Sequence, residues 1–313
     1  MDALPITEAT GTPYASQTSG QMHACGHDGH TAMLLGAAQY LCETRAFSGR
    51  AVLVFQPAEE GGAGGLAMVE DGLIARFGIS EIYALHNMPG QAAGTFAINS
   101  GPMMASADFF DMNITGRGGH AAMPQDAIDA VLVAAHLITA LQSITSRNID
   151  PLEAAVLSVC MMGTDSRAPH VLPQEVRLSG TARALSPLVR DALETRLRAI
   201  CDGVAATFGA QIAVDYERGY PVTVNSPDQA SFAADAAQAV TGQPTAPAAP
   251  MMGAEDFSYM LNAAAQNGYG GAYMFLGNGD SAMLHHPAYD FNDAIIPAGV
   301  AWLAALIERR MPL

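Results

Sequence analysis

The chain has no lysine: all 14 basic residues among its 313 are arginines. That absence removes whole mechanisms, because a Schiff-base lysine, a P-loop lysine, a Ser-Lys dyad and a lysine carboxylate bridging two metals all need the missing amine. Charge is scarce, at 14% of residues, and the 30 acidic side chains leave a formal net charge of -16. A phosphate-binding surface would have to be built against that field, so neither nucleic acid nor anionic membrane is expected as a partner. No apolar run approaches the ~20 residues needed to span a bilayer. The N-terminus lacks a charged segment followed by an apolar one, and the expected location is the cytoplasm. Only four cysteines occur, widely spaced, two of them in apolar runs where a reduced thiol packs as a small hydrophobe; disulfides are not implied. G-x-S-x-G, H-E-x-x-H and G-x-G-x-x-G are all missing. Serine-hydrolase, zincin and dinucleotide-binding readings thereby lose their usual support.

Half of the residues are apolar, enough for a sizeable core in one large domain or two smaller ones. Metal-capable side chains concentrate in His23-Ala24-Cys25-Gly26-His27-Asp28-Gly29-His30. Cys25 and His27, two apart on an extended segment, project to the same side and could grip one ion. They could equally be satisfied polar groups at a helix start, and further ligands elsewhere must decide. Met33, Leu34, Leu35, Ala37, Ala38 and Leu41 recur at helical spacing and predict a helix over 29–44.

The continuous apolar run Ala51-Val52-Leu53-Val54-Phe55 reads as a strand covered on both faces, and it ends in Glu59-Glu60 and a glycine-rich turn. A second run, Ile82-Tyr83-Ala84-Leu85, ends in His86-Asn87. Ligands gather at the carboxyl ends of strands in open α/β sheets, which is where both sets fall. From Asp108 the texture changes. Strands over 109–115, 155–161, 175–182 and 211–217 alternate with helices over 126–144 and 187–208. This β-α-β-β-α-β order is that of a ferredoxin-like module inserted into the first domain. The expected fold is therefore α/β, with a first domain in two parts, 1–107 and 219–313, around an insert at 108–218. After the insert come a helix over 228–240, a linker rich in proline and alanine to 250, a strand over 272–276 and a closing helix over 296–308.

The motifs MDALPI, HACGHDGHTA, FQPAEEGGAGG, LHNMPG, GRGGHAAMP, GAEDFSYM and LHHPAYDFND, in that order through the whole chain, resemble the M20 family of metallopeptidases and amidohydrolases. The similarity is to the branch of hippurate hydrolases, N-acyl-amino-acid amidohydrolases and auxin-conjugate hydrolases. It implies an open mixed sheet of zinc-exopeptidase type carrying the catalytic site, with the insert as lid and dimerisation domain. It also implies two divalent ions (Zn, Mn, Co or Ni) held by Cys25, His27, Glu60, His86 and His285, with Glu59 as general base. Adjacent carboxylates can divide the work in this way, one ligating and its neighbour taking a proton from water. By the same resemblance Asp2 orients a metal ligand and His120 stabilises the oxyanion, across a dimer or on lid closure. Arg183 would meet the substrate carboxylate, and His170 stands where an asparagine near the substrate is usual. Each has a plainer reading: an acidic helix start for Glu59 and Glu60, a strand-end histidine for His86, a turn histidine for His120 and a strand-surface arginine for Arg183. Glu255 and Asp256 match a family signature and are expected to support the site or the fold.

The implied reaction is hydrolysis of the amide of a small N-acyl amino acid, hippurate being one such substrate, by a homodimer formed through the insert. A dipeptidase is the alternative within the same chemistry. Family members carry a further segment ahead of the point where this chain starts, so a truncated gene or a late start is expected. A fold-bearing remnant without turnover is the rival of a different class.

Overall fold

A computed structural model describes residues 2–313. Met1, the first residue of the MDALPI motif, lies outside the described residues. The chain divides into two compact units, one comprising everything up to Met103 together with Thr223–Pro250 and Asp256–Leu313, the other Met104–Val222 with Met251–Glu255.

The first unit opens with irregular chain pinned by an antiparallel bridge between Leu4 and Met22. Helix α1 (His27–Thr44) follows, burying Met33, Ala37 and Leu41 and ending where Arg45 turns left-handed. Two short helices, α2 (Gly64–Glu70) and α3 (Leu73–Phe77), lead to β1 (Glu81–Pro89), β2 (Phe96–Ile98) and β3 (Gly101–Met104). The second unit contains β4 (Asp108–Thr115), β5 (Gly119–His120), α4 (Ala130–Ser143), β6 (Ala155–Thr164), β7 (Val171–Leu172), β8 (Glu175–Ala184), α5 (Pro187–Phe208) and β9 (Gln211–Arg218). The chain then returns to the first unit with β10 (Thr223–Asn225), α6 (Pro227–Thr241), β11 (Ala246–Pro247), α7 (Phe257–Gln266), β12 (Gly270–Gly279) and α8 (Ile296–Arg310).

In the first unit the main sheet runs β1-β12-β2-β11. β1 is parallel to β12 and β2 antiparallel to it, so the sheet is mixed, as expected. β12 is buried from Gly270 to Asn278, the pattern of a strand covered on both faces. Met274 and Leu276 of β12 pack with Met33 of α1, Ala233 of α6 and Trp302 of α8 in one apolar cluster. Trp302 donates its indole N–H to the Ala233 carbonyl at 3.1 Å, so burying this ring leaves no polar atom unpaired.

The run at 51–55 differs from the expectation. It joins no ladder among the described residues. Strand-like sequence becomes a strand only when a backbone edge lies alongside it, and here β1 is the edge of its sheet. Ala51, Val52, Leu53 and Val54 instead face Ile82 and Tyr83 across a cavity of about 600 Å³.

The second unit is a four-stranded antiparallel sheet ordered β6-β8-β4-β9, with α4 and α5 contributing to its core. With the β-α-β-β-α-β order, this strand arrangement is that of the ferredoxin-like module. Asp108 on β4 is buried there, and it takes a two-point contact from Arg190 of α5 (Nε to Oδ2 3.0 Å, Nη2 to Oδ1 2.5 Å) and the Tyr216 hydroxyl at 3.0 Å. The stretch Ala130–Asn148 is long and apolar enough to cross a membrane by length and composition. Here Val133, Ala134, Leu137 and Leu141 are buried in the unit's core.

Candidate metal centre

The site is built on the turn that starts α1. Gly26 adopts φ +79°, and a Cβ there would stand 2.5 Å from both the Asn87 amide nitrogen and the Tyr289 hydroxyl. Only glycine permits this backbone and this approach together. The turn sets Cys25 and His27 on either side of Gly26. The far end of the chain closes on the same turn: the His285 N–H donates to the Ala24 carbonyl at 2.8 Å, with His285 itself left-handed at φ 66°. A histidine rarely adopts that conformation, and its cost is offset by what surrounds it.

Three sets of donor atoms converge, each with its members within 4.8 Å of one another: Cys25, His27 and His86; Cys25, Glu60 and His285; His27, Glu59 and Glu60. Cys25 belongs to two of them, and its Sγ is 3.3 Å from Nε2 of His86. Six residues drawn from positions 25 to 285 thus share one cluster in the first unit.

Hydrogen bonds fix which atom each ring presents. Asp2 joins Nδ1 of His27 at 2.6 Å and accepts the Glu60 backbone N–H at 2.9 Å, tying the two segments together. Burial raises the Asp2 pKa, but these hydrogen bonds outweigh it and hold the carboxyl below its ordinary value. His86 donates from Nδ1 to the Asn87 carbonyl at 2.6 Å, leaving Nε2 toward Cys25. Burial, only partly opposed by that bond, pushes His86 down to about 4, so the ring is neutral and able to ligate. For Glu60 burial again raises the pKa, and the His285 imidazole more than compensates; His285 is raised in turn by Glu60.

Glu59 and Glu60 sit in a turn bracketed by two left-handed alanines, Ala58 at φ 50° and Ala63 at φ 49°. Asp256 holds this turn in place, accepting the Gly65 N–H at 2.7 Å and a short hydrogen bond from the Gln56 amide. Burial, with the Asp2 charge adding to it, lifts Asp256 to about 6.

The remaining expected residues lie in the second unit. His120 and His170 line one concavity of about 540 Å³, together with Asp165 and Gln174. His120 accepts the Ala122 N–H on Nδ1 at 3.0 Å. Arg183 is half-buried on β8, its guanidinium 5.9 Å from the centre of the Phe109 ring and its Nε 3.2 Å from the Thr181 hydroxyl. Of the two adjacent histidines near the C-terminus, His285 joins the cluster. His286 accepts the Ala288 N–H at 3.0 Å.

Three residues at the cluster lie inside the sequence motifs but were assigned no role there: His30, Asn87 and Tyr289. They form a buried network behind Cys25 and His86. His30 belongs to the histidine-rich run, but its Nε2 accepts the Asn87 N–H at 2.9 Å, and burial first, then the neighbouring His86 and His27, keeps it uncharged.

A divalent cation suits this donor set. Oε1 of Glu60 is buried without a hydrogen-bond partner, although Nε2 of His285 stands 3.3 Å from it. An orphaned carboxylate oxygen facing a thiol and several imidazoles is what an ion would satisfy.

The sequence pattern of Peptidase family M20/M25/M40 matches residues 1–309, and the chain belongs to that family. It is 38% identical over 308 residues to the hippurate hydrolase of Campylobacter jejuni, spanning 98% of this chain and 79% of that one. It is 40% identical over 297 residues to an N-acetyl-L-cysteine deacetylase of Bacillus subtilis, spanning 95% and 69%. The crystal structure of the Bacillus subtilis YXEP protein, described as a dinuclear metal binding peptidase from the M20 family, is similar with a TM-score of 0.84 at 32% identity, covering 99% of this chain and 79% of that one. The protein is a metal-dependent amidohydrolase of this family.

Proposed function

We propose that the protein hydrolyses the amide bond of N-acyl amino acids, releasing a carboxylic acid and a free amino acid, at a pair of divalent ions. The observation that carries this reading is the sharing of Cys25 between two donor sets, with Glu59 in the third. Cys25, His27, Glu60, His86 and His285 would hold the ions. Bound there, divalent ions supply positive charge that acidifies water and polarises an amide carbonyl. Glu59 takes the proton from the attacking water and passes it to the departing nitrogen. Asp2 orients His27, and the Asn87 carbonyl orients His86. His120, His170 and Arg183 are proposed to meet the substrate, and the second unit to form the homodimer.

The names of the relatives support an acyl group on an amino acid nitrogen: hippurate for one, N-acetylcysteine for the other. The test is an assay of the purified chain with Zn(II), Mn(II), Co(II) or Ni(II) on hippurate, several N-acetyl amino acids and a dipeptide. Turnover of the acylated substrates, lost in Glu59→Gln while bound metal is retained, is expected. Turnover of the dipeptide alone would replace this reading with a dipeptidase. Absence of turnover on every substrate by the fully loaded protein would leave a metal-binding remnant.

A further inference from the structure

We propose that Asn87 is the anchor that sets Cys25 and His86 as a ligand pair, a positioning residue assisted by Tyr289 and His30. The inference rests on the reading of Cys25 and His86 as metal ligands.

Asn87 is fully buried, and each of its polar groups is engaged. Its Nδ2 donates to the Cys25 carbonyl at 2.7 Å, and its backbone carbonyl accepts the His86 Nδ1 proton at 2.6 Å. One residue thus grips the backbone of one ligand and the ring of the other. The second contact dictates the tautomer: with the proton on Nδ1, the Nε2 lone pair of His86 is left facing Sγ of Cys25, 3.3 Å away.

The amide of Asn87 can point only one way. The Tyr289 hydroxyl donates to Oδ1 at 2.8 Å, which turns Nδ2 toward Cys25. His30 confirms that orientation, because its Nε2 already accepts the Asn87 backbone N–H and lies 3.1 Å from Nδ2, where only a donor is tolerated. This explains why His30 does not join the donor sets: its Nε2 is already committed to Asn87. Gly26 completes the arrangement, since any side chain there would collide with the amide nitrogen of Asn87 and with the Tyr289 hydroxyl that orients it.

Changing Asn87→Asp keeps the volume and replaces the donor with a second acceptor, setting a carboxylate oxygen against the Cys25 carbonyl and His30. Tyr289→Phe removes one hydroxyl and leaves the ring packing, so it remains informative if the first variant does not fold.

The experiment strips the full chain with a chelator and titrates it with Co(II). Calorimetry reads affinity, and the thiolate-to-cobalt charge-transfer absorption reads ligation by Cys25. Circular dichroism of each variant reports folding. With Asn87→Asp, Co(II) affinity is expected to fall about 10- to 100-fold, the range for lost outer-shell partners, and the charge-transfer band to weaken. Tyr289→Phe is expected to move both in the same direction by less. If the parent shows the band, Cys25→Ser loses it, and folded Asn87→Asp and Tyr289→Phe keep both band and affinity, the anchor is refuted while the ligand reading stands. Where Asn87→Asp does not fold, an unchanged Tyr289→Phe is enough to refute it. If the parent itself shows no such band, the ligand reading fails and takes the anchor with it.

Discussion

Replacing Gly26 with alanine should be among the most damaging single-methyl changes in this protein, and the structure lets the penalty be divided in two. The first part is conformational: at φ +79° an L-residue pays the left-handed cost, about 1–2 kcal/mol. The second is steric. The new Cβ would stand 2.5 Å from the Asn87 amide nitrogen, 2.5 Å from the Tyr289 hydroxyl and 2.8 Å from the Phe291 ring. The first two atoms are hydrogen-bonded to each other's side chains or to Cys25, so they cannot swing aside as a flexible chain end would. Forcing such an overlap typically costs about 1–3 kcal/mol. Together the loss is about 2–5 kcal/mol of unfolding free energy. Gly90 supplies the control: its φ is +81°, yet a Cβ there meets nothing within 4 Å. Gly90→Ala should therefore show the conformational cost alone. Urea denaturation of both variants in chelator, so that metal affinity does not enter, measures the difference. Equal destabilisation by the two would refute the steric half of the argument, and with it the claim that the turn is held by packing against Asn87 and Tyr289.

Other outcomes follow from features described above. Removing divalent ions with a chelator should lower the unfolding midpoint and their return should restore it, the gain reaching about 2.7 kcal/mol at a hundred times the dissociation constant; scanning calorimetry across metal concentrations checks this. Asp108→Ala leaves Arg190 buried without its carboxylate and should cost about 3–5 kcal/mol in denaturant melts. Burial raises the Glu81 pKa, but hydrogen bonds from Arg310, Gln229 and Tyr83 outweigh it and hold the carboxyl below its ordinary 4.5. The stability it contributes is thus present above that value and lost as pH falls through the lower folded one, so the melting temperature of Glu81→Gln should drop less steeply than the parent's between about pH 5 and pH 3.

What could be read in advance depended on how local the determinants were. The helix expected over 187–208 is α5, Pro187–Phe208, because Pro187 opens it and Gly209, left-handed at φ 68°, closes it. The helix expected from 126 begins later, at Ala130, since the Asp129 carboxylate accepts from the Val131 and Leu132 amides and caps it there. No helix was expected over Phe257–Gln266, although Phe257, Met260, Leu261 and Ala264 stand at helical spacing and form the buried face of α7. The run at 51–55 shows the opposite failure, a strong pattern without the neighbouring backbone that would make it a strand. In the site, the residues that the motifs singled out as ligands and base converge. Asn87 and Tyr289 lie in the motifs, but their contact could not be read from them because it spans 202 positions.

The open space beside β1 bears on how the molecule behaves in a crowded solution. One wall is the rim of a pleated ladder and the other an aliphatic segment, and an unpaired ladder rim is the kind of backbone edge that a further extended segment can pair with. The net charge of -16 keeps copies apart at a distance, but that repulsion dies away over about 8 Å at physiological ionic strength. Inside that range short-range contacts such as this rim outlast the repulsion, so added salt is expected to favour association between copies.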